Sequence, residues 1–241
     1  MNFVGHAAVA CWHGRSPAFA LGAMLPDFLG MSRARPRSID DPELARGVRL
    51  HHETDAVFHR APAFVEICAT AAGALTGEGV RRGTARAVAH LGAELFLDGA
   101  LLAGDDSAPL RSLYLEAVAE GAGGSGTRGI AFRDDDAGDR FRRLVHRLAA
   151  LGVPDGYRDP IFVGDRLTQA LARRRRLAIT PEDDPAVRSY LPELQRRVVE
   201  RVDALVGSLR AELDPSLAPG TEPGPAGHAP DASPRAGTAR G

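Results

Sequence analysis

The sequence predicts an all-α protein, a bundle of many medium-length helices. Apolar residues recur at three- and four-residue intervals along almost the whole chain, and strand-like alternation is scarce. The start signals are helical too. Ser16-Pro17, Asp41-Pro42 and Thr180-Pro181 each place a capping side chain before a proline at the first helical position, and Asp159-Pro160 repeats the pattern.

Helices are expected over 2–13, 17–25, 41–59, 62–75, 79–103, 107–120, 138–151, 160–178, 181–191 and 192–213. The second is expected to stop at Leu25, because a proline disfavours helical backbone in the residue before it. That leaves Asp27 at a corner between elements. There is no internal repeat. Residues 1–214 read as one domain. The glycine-rich stretch "GAGGSGTRG" at 121–129 reads as a flexible connection, since a phosphate-binding loop needs a preceding strand and a following Gly-Lys-Ser/Thr. The tail 215–241 is mostly Pro, Gly and Ala and is expected to be disordered.

Composition narrows the function classes. Net charge is −1 over 241 residues, so no global basic field attracts nucleic acid or an anionic membrane. All 30 basic residues are Arg, which, with abundant Ala, Gly and Pro, reads as coding bias in a GC-rich genome. Aromatic content is 5 %, so Ala, Leu and Val must build the core. Cys11 and Cys68 are too few and too far apart for a disulfide framework or a cysteine-based zinc site, and read as small buried hydrophobes of a reducing compartment. No run approaches the ~18 uninterrupted apolar residues of a membrane span. The N-terminus lacks the basic region of a signal peptide. A cytoplasmic protein is expected.

Chemistry concentrates in a few polar stripes. "AHLGAELFLDGALL" (89–102) carries His90, Glu94 and Asp98 at four-residue spacing, on one face of an otherwise apolar helix. Buried charges there require compensation, by a metal ion or by an internal ion-pair network. In "LARGVRLHHETDAVFHR", His51, Asp55 and His59 share a face, with His52 at its edge. His6 lies in the apolar "FVGHAAVA", and Asp27 in "LGAMLPDFLG". Imidazoles and carboxylates together suit manganese, zinc or iron. More than four such groups leave room for two ions, which can clamp both oxygens of a phosphoryl displacement. Each element also has a plain structural reading: a buried histidine, a helix cap, a helix-stabilising pair.

The stretches "MNFVGHAAVA", "LGAMLPDF", "GVRLHHETDAVFH" and "ELFLDGALL" resemble the acyl carrier protein phosphodiesterases, all-α proteins related to the HD-domain phosphohydrolases, over residues 1–105. The resemblance implies an HD-like bundle and a manganese-dependent hydrolase that removes 4′-phosphopantetheine from holo-acyl carrier protein. It places His6, Asp27, His51, Asp55 and Asp98 at the metal site, with Glu94 where the family more often has Asp. Arg49, His59 and Gly99 stand where the family has a histidine, an acid and a histidine, and His90 is an addition. "GAMLPDF" also resembles the zinc-dependent phospholipase C type. The expected chemistry is attack of an activated water on phosphorus, with His52 or His59 protonating the leaving oxygen. Arg49 or Arg60 would steady the phosphate, and Arg173–Arg176 would offer an acidic carrier protein a docking surface. The alternatives are a phospholipase C-like hydrolase and a non-catalytic helical protein with structural ion-pair networks.

Overall fold

A computed structural model describes residues 1–13, 16–105, 107–124 and 128–213. Residues 125–127 of the glycine-rich stretch and all of the tail 215–241 lie outside the described residues. Among the described residues the fold is all-α: α1 (Phe3–Trp12), α2 (Pro17–Ser32), α3 (Pro42–Phe58), α4 (Pro62–Gly77), α5 (Arg82–Ala103), α6 (Ala108–Ala122), α7 (Asp135–Leu151), α8 (Pro160–Leu171) and α9 (Asp184–Glu212). A short 3-10 turn, Asp155–Arg158, precedes α8. The only strands described, β1 (Pro36–Ile39) and β2 (Ile130–Phe132), pair antiparallel with Ile39 opposite Ile130. No single helix described is long and apolar enough to cross a membrane.

The predicted caps form at three of the four Pro-led starts. Ser16 accepts from the Phe19 N–H, Asp41 from Glu43 and Leu44, and Asp159 from Ile161. Thr180-Pro181 instead begins a turn, and α9 starts at Asp184. Other boundaries differ from the local rules. α2 runs through Pro26 to Ser32, and α9 runs through Pro192 without a break. An interior proline costs a helix about 3 kcal/mol. Met24, Leu25 and Phe28 around Pro26 are fully buried, and burying each such side chain returns about 1.5–3 kcal/mol. Asp27 is therefore inside a helix, not at a corner. In the other direction, α8 stops at Leu171, so Arg173–Arg176 occupy exposed turns instead of a helix face.

One apolar core includes residues from α1 to the end of α9. Its tightest crossing is α2 on α3. A Cβ on Gly22 would lie 2.4 Å from the Leu44 carbonyl oxygen, and one on Gly47 would lie 2.2 Å from that of Phe19. Only glycine permits this approach. It brings the Ala23 backbone against His51. A single shared site would require the stripes at 41–59 and 79–103 to pack face to face. Instead both α3 and α5 pack on α1, and side chains reach across between them.

Candidate metal centre

Four elements bring the polar stripes together around α1: His6 on α1, Asp27 on α2, His51, Asp55 and His59 on α3 and its C-cap, and His90, Glu94 and Asp98 on α5. They resolve into two groups and one outlier. His6, Asp27 and His51 each offer a ligand atom within 4.8 Å of the other two. His59, His90 and Glu94 do the same.

The first group is buried. The His6 ring stacks on His51 with centroids 3.8 Å apart. His6 Nε2 donates to the Met1 carbonyl at 3.0 Å, which leaves Nδ1 as a bare lone pair; Nδ1 is buried with no hydrogen-bond partner. His51 Nδ1 donates to the Ala23 carbonyl at 2.9 Å, so Nε2 carries its lone pair. A carbonyl that fixes the tautomer in this way is the usual support of a ligating imidazole. Asp27 Oδ2 is also buried and without a partner. With Asp27 ionised, three acceptors thus meet with no donor among them. Burial, then the neighbouring His6, depresses His51 to about 3, and burial lowers His6 as well. Burial pushes the Asp27 carboxyl up to about 8. With no ion bound, the site holds its proton on Asp27.

The second group is half-open. The side chains of His59 and His90 are 36 % and 48 % exposed, against 9 % for Glu94. Both Nε2 atoms lie 3.1 Å from Glu94 Oε1. Phe64 stands edge-on to the His90 ring at 5.2 Å and closes one side. Burial opposes the Glu94 charge, yet His59, His90 and the Met1 ammonium hold its carboxyl well below the usual range.

Asp55 joins the groups. Its Oδ1 is 3.3 Å from His6 Nε2 and its Oδ2 3.4 Å from His51 Nε2. The Met1 α-ammonium lies 2.6 Å from Asp55 Oδ1 and 3.1 Å from Glu94 Oε1. Burial works against this ammonium, but the two carboxylates outweigh it and raise its pKa. The same contacts hold Asp55 ionised against its own burial.

Asp98 is the outlier. It accepts from Asn2 Nδ2 at 2.6 Å, Gly5 N at 2.8 Å and Val4 N at 3.2 Å, and so caps α1 from another helix. Burial pushes its carboxyl up to about 7 against these bonds. The next residue, Gly99, has no room for a side chain: a Cβ would lie 2.4 Å from the Tyr157 carbonyl oxygen. His52 is exposed and meets His51 edge-on, with ring centroids 5.3 Å apart. Arg60 pairs with Glu212 and donates to the Ala56 carbonyl.

A cleft of about 1690 Å³ opens onto the centre, with Asp27, His90 and Glu94 in its wall. Arg33, Arg86, Arg147, Arg166, Arg173 and Arg174 also line it. Apart from Arg173 and Arg174, no sequence pattern marks these arginines, because they come from five separate segments. Comparison with protein-family models, with curated proteins and with solved structures found no match.

Proposed function

We propose that this chain is a metal-dependent phosphodiester hydrolase. One observation carries the reading: His6, Asp27 and His51 present three acceptors to each other, with two buried atoms unpartnered, beside an arginine-lined cleft. Leaving buried polar atoms unpaired costs about 1–3 kcal/mol each, and a cation relieves all of them at once. His6, Asp27 and His51 would hold one ion, with Asp55 beside them. His59, His90 and Glu94 would hold a second. The donor set suits manganese, zinc or iron(II), and the family resemblance favours manganese.

A divalent ion there supplies Lewis acidity to a phosphoryl oxygen and lowers the pKa of a water towards neutrality. The chain does the rest. Asp27 would hold the ion as a carboxylate, without the proton that burial favours in the ion-free chain. Arg86 lies one helical turn before His90 on the cleft wall and is placed to orient the phosphate. The α1 and α2 walls keep bulk water from His6 and His51, both of them buried. The half-open position of His59 beside Glu94 favours a ligand over the proton donor expected from sequence.

The resemblance makes the 4′-phosphopantetheine arm of holo-acyl carrier protein the first candidate substrate, and a cleft larger than the roughly 300–1,000 Å³ of ordinary small-molecule sites accommodates a long arm. A phospholipid is the second. Exposed Met31, Leu151 and Phe162 on the cleft wall favour it. The test is hydrolysis of bis(4-nitrophenyl) phosphate with Mn²⁺ or Zn²⁺, then of holo-carrier protein and phosphatidylcholine. Metal-dependent turnover that Asp27→Ala abolishes is expected. No turnover with either metal on any of the three contradicts the reading.

A further inference from the structure

We infer that the cleft selects a phosphodiester carrying a second phosphate in the same molecule, held by Arg147, Arg173 and Arg174. This rests on the phosphodiesterase reading for the identity of the reacting group. Their place in one cleft, without a carboxylate partner, marks these arginines. Many arginines elsewhere on the surface are neutralised locally, among them Arg46 by Glu43, Arg140 by Asp136, Arg196 by Glu193 and Arg201 by Glu66. The acids of the cleft wall are engaged as well. Arg111 grips Asp155 through two bonds of 2.7 and 2.8 Å, and Arg188 holds Asp165 at 2.9 Å. Asp27 and Glu94 belong to the metal centre.

Arg33, Arg86, Arg147, Arg173 and Arg174 line the same cleft, are exposed, and have no carboxylate partner among the described residues. Unpaired cations gathered in one concavity raise the local concentration of anions. They come from several elements of the fold. Arg86 is on α5 beside His90, where the reacting phosphate has to sit. Arg147 near the end of α7 and Arg173 and Arg174 in the turns after α8 come from other elements. One phosphodiester bears a single negative charge and occupies the position beside Arg86 and His90. The volume and the remaining guanidinium groups fit a second anion, and guanidinium matches phosphate geometry through paired N–H donors.

The test is calorimetric titration of the full chain with α,ω-alkanediol bisphosphates of increasing length and with the matching alkyl monophosphates, in Mn²⁺ and again in EDTA. At least one bisphosphate should bind about tenfold tighter than its monophosphate, and added salt should shrink that gain. Arg147→Ala, Arg173→Ala, Arg174→Ala together should remove the gain and leave monophosphate affinity in place. All three side chains are exposed, and circular dichroism checks that the variant folds. A bisphosphate advantage absent at every length, or surviving the triple substitution, overturns the proposal. Because binding is read without turnover, a chain that cleaves no phosphodiester refutes the function above and leaves this result to stand or fall by itself.

Discussion

The two ligand groups meet similar side chains with opposite electrostatics. Around Glu94, two imidazoles and the Met1 ammonium already answer the negative charge, and solvent reaches both histidines. Around Asp27 the answer is incomplete: His6 and His51 turn lone pairs inward, and burial outweighs the Met1 ammonium and raises the carboxyl's pKa. A self-neutralised, half-exposed group gains little from an ion, which must compete with an ammonium for the same carboxylate. A buried group of bare acceptors gains much. The difference separates a site that is complete as an ion-pair network from one that is not, and it predicts the tighter ion at His6, Asp27 and His51.

The largest effect expected is on ion affinity. His6→Ala or His51→Ala should weaken the tighter ion by more than the roughly 10–100-fold that loss of a supporting partner costs, as read by competition with a chromophoric chelator. Comparable weakening from His90→Ala instead would reverse the comparison. Next in size is Asp98→Ala. It strands the Val4 and Gly5 N–H groups and the Asn2 amide, at a cost of about 3 kcal/mol in urea unfolding. Ion affinity should stay within a few fold. If Asp98 is a ligand, as the family resemblance implies, affinity collapses with it.

The pH dependence of the ion-free protein sharpens the contrast. The Asp27 carboxyl, raised to about 8, keeps its proton when folded after the unfolded chain has lost it. Its contribution to stability is therefore complete at low pH and is lost as pH rises towards 8. Asp98 behaves the same way only up to about 7. His51, depressed to about 3, loses stability in the opposite direction, as pH falls below the ordinary histidine range. Between pH 7 and 8 the decline is shared by Asp27 and the Met1 ammonium, whose pKa is also raised, and the Asp27 share has a slope of at most about 1.4 kcal/mol per unit. Asp27→Asn should reduce it in thermal melts with EDTA and leave the Met1 share. An unchanged slope would place the proton elsewhere. The smallest effect is the stability cost of His90→Ala, below about 1 kcal/mol for a half-exposed pair.

Much of this is legible in the chain. The polar stripes of α3 and α5 stand out because four-residue spacing among apolar neighbours puts ionisable groups where burial demands a partner. The caps at Ser16, Asp41 and Asp159 are local hydrogen bonds and follow from local sequence. What escapes needs distant partners. Asp98 has ligand chemistry, but the N–H groups it satisfies are more than ninety residues away. Pro26 marks a helix end by local rules, and only the burial of Met24, Leu25 and Phe28 overrides them. The division of one expected site into two groups follows from α3 and α5 both packing on α1, which periodicity does not encode. The arginines of the cleft are scattered in sequence and converge only in the fold.

The most direct test of the buried centre is the metal content of the purified chain, after dialysis against Mn²⁺ or Zn²⁺ and then ion-free buffer, beside the His6→Ala, His51→Ala double variant. At least one retained equivalent is expected in the parent, with loss of that equivalent in a variant that still folds. A parent that retains no ion, or a double variant that retains as much as the parent, would contradict a metal site at His6, Asp27 and His51.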